Sequence, residues 1–151
     1  MNTMNTAQPS NLLYKLVDTL DIDAYEDIAV GKLTLTDPKT GAPTSSVIEL
    51  ASPEHESRKR IDLARTRRLR AEFANNGKLN ATDPLDDIED ETDYLVASTL
   101  GWNLTRGGVP VEFSPANVRA LYTDPKKQWL RGQVLAGIRK TELFIKDSAK
   151  A

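Results

Sequence analysis

Outside the turn at Asp37-Pro38, a short polar side chain is followed at once by proline four times along the chain: Ser52-Pro53, Asp83-Pro84, Ser114-Pro115 and Asp124-Pro125. A Ser or Asp oxygen accepts from the free N–H groups of a helix's first turn. Proline, with φ preset and no N–H to lose, belongs in that turn. The four pairs predict four helix starts. The first helix should run to about Asn75 and stop at Gly77, and the second from Leu85 to about Leu100, stopped by Gly101. Ile88, Leu95 and Val96 should face inward on the second. The third carries Val118, Leu121 and Tyr122. The fourth repeats Leu130, Val134 and Ile138 every four residues, with Ile145 continuing the same face. A fifth, short helix capped by Ser10 would carry Leu13, Leu16, Val17 and Leu20.

Residues 29–36 and 45–50 read as strands. Asp37-Pro38-Lys39-Thr40-Gly41 lies between them, with proline to preset φ and glycine to permit φ > 0. A β-hairpin follows, and its apolar face needs a helix or another chain to cover it. Trp102, Leu104, Val109, Val111 and Phe113 form an apolar segment that Gly107-Gly108 breaks into a second small turn. The expected fold is mainly α with a small N-terminal β-hairpin (α+β): four to five helices in a single compact domain over 10–146. A polar tail (1–9) precedes it and a frayed end (147–151) follows.

Charge is segregated. Residues 54–80 carry eight Lys or Arg against four acids, and residues 81–100 carry seven acids and no base. The first helix is thin in apolar residues: Ile61, Leu69 and Phe73 span one face with Arg65 amid them. Such a helix projects into solvent or lies on something polar. Clustered arginines bind phosphate backbones, but no aromatic residue interleaves with Arg58 to Arg70 and the whole chain is acidic, at −2. Pairing with the acidic helix or with a protein surface is the favoured reading. The chain has no cysteine and one histidine, His55, which excludes disulfides and the usual zinc constellations. The acidic run Asp86 to Asp93 lacks the calcium-loop spacing. No phosphate loop is present, and paired catalytic carboxylates would need a dry pocket. We therefore expect no enzyme, no cofactor and no metal. No apolar run approaches the roughly 20 residues of a membrane span. The start of the chain lacks the basic and apolar regions of a signal peptide.

Four motifs in sequence order are informative together. Ile48-Glu49-Leu50-Ala51-Ser52-Pro53 leads into the Arg-rich helix. Gly101-Trp102-Asn103-Leu104 and Val111 to Leu121 follow the acidic helix, and Trp129 to Val134 closes the set. Over roughly residues 25–145 this arrangement resembles the tail assembly chaperones of siphophages. The resemblance implies binding to the tape-measure protein and the major tail-tube protein in the host cytoplasm. It also implies absence from the mature virion. Self-association is a further possibility the residues leave open. A holdase needs apolar surface and charge rather than catalytic groups. The candidate surface comprises Trp102, Phe113, Trp129 and Leu130, with Arg65, Arg68, Leu69 and Phe73 of the basic helix beside it. Core packing is the competing role for the aromatics. The rival functions are a virion structural protein (head–tail adaptor or tail accessory component), a small anti-host inhibitor and a nucleic-acid binder.

Overall fold

The computed structural model describes residues 19–78 and 84–146. The polar tail, the helix start at Ser10 with Leu13, Leu16 and Val17, the cap at Asp83 and the frayed end lie outside the described residues. Residues 27–145 form one unit, and the described residues 19–26 and 146 belong to a second. The second holds a 3₁₀ turn, Ile22–Ala24, where Asp21 accepts from the Asp23 amide at 3.0 Å.

Within 27–145 the fold is α+β. The hairpin forms where its alternating residues place it, as β1 (Val30–Thr36) and β2 (Pro43–Ala51), with Leu33 opposite Ile48 and Gly31 opposite Leu50. Its loop closes through Asp37, whose carboxylate accepts from Lys39 N at 2.8 Å and whose carbonyl accepts from Gly41 N at 2.7 Å. The hairpin is not N-terminal: the 3₁₀ turn precedes it. Nor does it stand alone, because β3 (Thr99–Trp102) pairs with β2's other edge and makes a three-stranded sheet, order β1-β2-β3. With neighbours on both sides, β2 is the most buried strand. Ile48, Leu50 and Ala51 are fully enclosed, and each of the larger two contributes about 1.5–3 kcal/mol by leaving water.

Four helices complete the unit: α1 (Glu56–Asn76), α2 (Pro84–Ser98), α3 (Pro115–Thr123) and α4 (Gln128–Ile138). Leu95 of α2, Val118 and Leu121 of α3, and Leu130, Val134 and Ile138 of α4 meet over the sheet in one core with Leu35 and Phe144. Phe144 arrives on a 3₁₀ turn, Thr141–Phe144, that lies against β1. Gly31 permits this approach, since a Cβ there would sit 2.7 Å from the Leu143 carbonyl oxygen. Gly107 and Gly108, with φ of 58° and 80°, turn the two-residue strands β4 (Thr105–Arg106) and β5 (Val109–Pro110) into the second hairpin.

The helix starts divide. Ser114 caps α3 as expected, accepting from Asn117 N at 3.1 Å. Ser52 does not cap α1. Its residue is buried and its carbonyl accepts from His55 N, a turn that delivers His55 as the cap, with Nδ1 accepting from Ser57 N at 3.1 Å. The one histidine is thus part of the helix start. Asp124 ends α3 instead of opening α4, which begins at Gln128. α2 runs directly into β3 at Thr99, before the expected stop at Gly101, and Ile88 is 57 % exposed, not inward. Ile145 does not extend the α4 face, because the helix ends at Ile138 and Ile145 bridges Asp27 in extended backbone.

Tyr122, fully buried, bonds Thr99 Oγ1 at 2.8 Å. Burial pushes its phenol up to about 12 from the ordinary 10.0, and the Thr99 bond lowers it in partial compensation. An unfolded tyrosine ionises near 10, while the folded one keeps its proton to about 12. Stability present below the first value is therefore lost as pH rises to the second, by about 2–3 kcal/mol. Tyr122→Phe should flatten that alkaline decline in denaturant midpoints measured across the window. Coincident alkaline curves for the two proteins would contradict the buried phenol.

Candidate functional site

α1 is built from strong helix formers, Arg, Ala, Leu and Glu, with no β-branched run, and ends at Gly77 in a left-handed cap. It docks by its first turns. Arg58 is the one α1 residue that is buried. Its Nε and Nη2 donate to Tyr94 Oη at 3.0 and 2.7 Å, and its Nη1 donates to the Ala51 carbonyl at 3.1 Å. The guanidinium also lies 5.4 Å from the Tyr94 ring centroid and 5.7 Å from that of Phe144. No carboxylate among the described residues pairs with it, so neutral acceptors and two π faces hold a buried charge.

Between α1, α2 and the end of α4 lies a cleft of about 1040 Å³. Arg65 and Arg68 line it, facing Asp87 and Asp90 of α2. Arg68 Nη2 reaches Asp90 Oδ2 at 3.0 Å, with both side chains about half exposed. The expected pairing of basic with acidic helix is therefore present on this side. It is a weak pairing, because solvent screens it.

Among the described residues the other side of α1 has no such ion-paired cover. Leu63 and Phe73 are 54 % and 58 % exposed. Thr66, Leu69, Arg70, Phe73 and Ala74 line a shallow, nearly wholly apolar depression of about 340 Å³. Helical spacing puts Leu63 on the same stripe, one turn before Thr66. Arg67 and Arg70 flank it, both exposed, and neither meets a carboxylate among the described residues. Leu69 and Phe73 thus come together, while Arg65 and Arg68 belong to the cleft. Arg67 and Arg70 belong to the basic stretch Arg58 to Arg70 that the sequence singled out, whereas Leu63 and Thr66 were missed as site residues. Their signal was the outer 3.6-residue stripe, which the weak apolar content of the helix obscured.

The aromatic candidates are dispersed. Trp102 and Phe113 form an edge-to-face pair, centroids 5.2 Å apart at 86°, and Trp102 Nε1 donates to the Val111 carbonyl at 2.9 Å. This pair fixes the β4–β5 hairpin and leaves Phe113 38 % exposed. Trp129 is exposed on the first turn of α4. Leu130, 3 % exposed, is core and offers a partner nothing in this state. None of these four lines the cleft or the α1 depression.

The motifs that carry the resemblance are fold determinants. In Trp129 to Val134, Leu130 and Val134 are core. Arg131 is buried and donates to Glu91, Thr92 and the Ile88 and Tyr122 carbonyls. Gln133 grips β1 through Thr36, accepting from its N–H at 3.0 Å and donating to its C=O at 2.9 Å. In Gly101 to Leu104, Asn103 does the same for β2, accepting from Val47 N at 2.7 Å and donating to the Ser45 carbonyl at 3.0 Å. Arg119 of the third motif pairs with Asp93 of α2.

Among the described residues no group of three or more His, Cys, Asp or Glu side chains is placed to hold a metal ion. No helix among the described residues is long and apolar enough to cross a membrane. Compared with models of protein families, with curated proteins and with solved structures, the chain matches none.

Proposed function

We propose that this chain is a protein-binding assembly factor, a phage tail assembly chaperone that holds the tape-measure and major tail-tube proteins during tail morphogenesis. The observation that carries the reading is the state of α1. A 21-residue helix is anchored by one buried side chain, and its outer side presents large apolar groups to solvent. Exposed apolar surface rimmed by charge marks a protein-binding site more often than a catalytic one. A holdase needs such a surface on a stable body, and the core of α2, α3, α4 and the sheet supplies the body. The order of motifs from Ile48 to Val134 points to the same class. On this reading the protein works in the host cytoplasm and leaves before the virion is complete.

The test is co-expression with the tape-measure and tail-tube proteins of the same genome, with affinity capture and mass spectrometry of purified virions. A soluble complex in cells together with absence from virions is the expected result. Stoichiometric presence in virions would replace the reading with that of a structural tail or head–tail component. Capture of a host protein in place of either client would replace it with that of an anti-host inhibitor.

A further inference from the structure

We infer that the Leu69–Phe73 depression of α1, flanked by Arg67 and Arg70, docks an acidic amphipathic helix of the partner protein, an inference that rests on the protein-binding reading above. Shape comes first. Leu63, Thr66, Arg70 and Phe73 follow one another at three- and four-residue intervals, a stripe roughly 15 Å long at 1.5 Å per residue. A surface of that spacing receives side chains that themselves repeat at i, i+3, i+4 and i+7, which is the signature of a helix. A strand cannot add here, because the backbone groups in the middle of an α-helix are already bonded to one another.

Charge selects the helix. On the cleft side, Arg68 is matched by Asp90 of α2. On the outer side, Arg67 and Arg70 have no carboxylate partner among the described residues. A client helix with an apolar stripe and flanking Glu or Asp supplies the missing partners and covers Phe73 in the same event. A second copy of α1 laid face to face would bring arginine against arginine, which costs free energy. A nucleic-acid duplex carries one charge per roughly 1.7 Å of its axis, and α2 presents six acids between Asp86 and Asp93 to repel it. It would also leave the apolar side chains beside the arginines without a use. A peptide with two or three carboxylates placed at the rim avoids both difficulties.

The experiment titrates the full-length chain with three probes. One is a synthetic helical peptide bearing a Leu/Phe stripe flanked by glutamates. The second is the same peptide with lysines for glutamates, and the third is a DNA duplex. Binding of the glutamate peptide is expected, weakening as ionic strength rises, with the lysine peptide at least about tenfold weaker. Phe73→Asp should lower glutamate-peptide affinity by about tenfold or more. The paired substitution Arg67→Glu and Arg70→Glu should invert the preference toward the lysine peptide. All three positions are exposed, so the variants keep the core. Equal binding of the two peptides, no effect of Phe73→Asp, or DNA binding tighter than either peptide would each overturn the inference. The co-expression assay separates the two levels. Tail clients captured equally by the wild type and by Phe73→Asp would remove this docking site and leave the chaperone reading intact. Glutamate-peptide binding without capture of tail clients would do the reverse.

Discussion

Replacing Arg131 with methionine should lower the unfolding free energy by about 2–5 kcal/mol, at roughly 1–3 kcal/mol for each buried acceptor left without its donor, a large share of the roughly 5–15 kcal/mol that holds a domain of this kind together. Arg131 is the junction of three helices. From α4 its Nη2 donates to Glu91 Oε1 at 2.9 Å and to the Ile88 carbonyl at 3.3 Å. Its Nη1 donates to Thr92 Oγ1 at 2.8 Å and to the Tyr122 carbonyl at 3.2 Å. Tyr122 sits in the last turn of α3, where a carbonyl has no partner within its own helix. Methionine fills the space but donates to none of these, so buried acceptors lose their bonds along with the charge. Arg131→Lys should recover little, since one ammonium cannot span Glu91 and the Tyr122 carbonyl as the planar fork does. Glu91 is 41 % exposed by side chain, and water can take Arg131's place on it. Glu91→Gln should therefore cost about 1 kcal/mol or less. Urea unfolding at constant slope measures all three. A methionine variant within about 1 kcal/mol of wild type would show that water replaces the network, a case of weak net hydrogen bonding.

Arg58→Met is the second large effect, at about 2–4 kcal/mol. The substitution strands the Ala51 carbonyl and the Tyr94 hydroxyl, at roughly 1–3 kcal/mol for each group left without a bond. It also removes the cation from two aromatic faces, worth about 0.5–2 kcal/mol. Relief from burying a charge offsets part of this. The distinguishing readout is local. With Arg58 gone α1 keeps no fully buried side chain, only half-buried ones such as Ile61 and exposed pairs such as Arg68–Asp90, so proteolysis within residues 60–76 should accelerate more than global stability falls. Tyr94→Phe, which keeps the ring and loses the acceptor, should reproduce about half of the loss. Proteolysis that tracks global stability in both variants would mean that α1 is held elsewhere along its length.

What could be read from the chain and what could not divides by the range of the interaction. The β1–β2 hairpin and the capped start of α3 depend on residues within a few positions of one another, and both stand where pattern and cap chemistry put them. The faces of α3 and α4 follow for the same reason, since Val118, Leu121, Leu130, Val134 and Ile138 report the core by their spacing alone. β3 was hidden because Thr99 to Trp102 continues a helix without a break. Its strand character comes from pairing with Ile48 and Leu50, some fifty positions earlier. Ser52 and Asp124 satisfy the cap-then-proline rule without capping the helices it assigns them, because the neighbouring chain direction decides which residue meets the first free amides. The arginines are the clearest case. Arg58, Arg65, Arg67, Arg68, Arg70 and Arg131 are one residue type in sequence, yet two are buried anchors, one is an ion-pair partner, one lines the cleft and two are exposed on the outer side of the helix. Tyr94 lies 36 positions from Arg58 and Glu91 lies 40 from Arg131, separations over which no periodicity speaks. The candidate site was thus half legible. Leu69 and Phe73 share one depression with Arg70 of the expected basic face, whereas Leu130 proved to be core and Leu63 and Thr66 stood unremarked beside their neighbours.

The amide of Gln133 has a consequence for how copies of this chain behave at high concentration. An uncovered strand at the border of a sheet is a template on which another chain can grow. β1 is such a border, but Gln133 occupies Thr36 at one end, and at the other the Ile28 amide is bonded to Phe144 with Asp27 bridged to Ile145. The interval between them carries the exposed Lys32, a charge that an incoming strand would have to accommodate. The molecule can therefore display greasy side chains along a helix, where contacts are reversible, while its sheet is closed on that flank to the irreversible stacking that ends in fibrils.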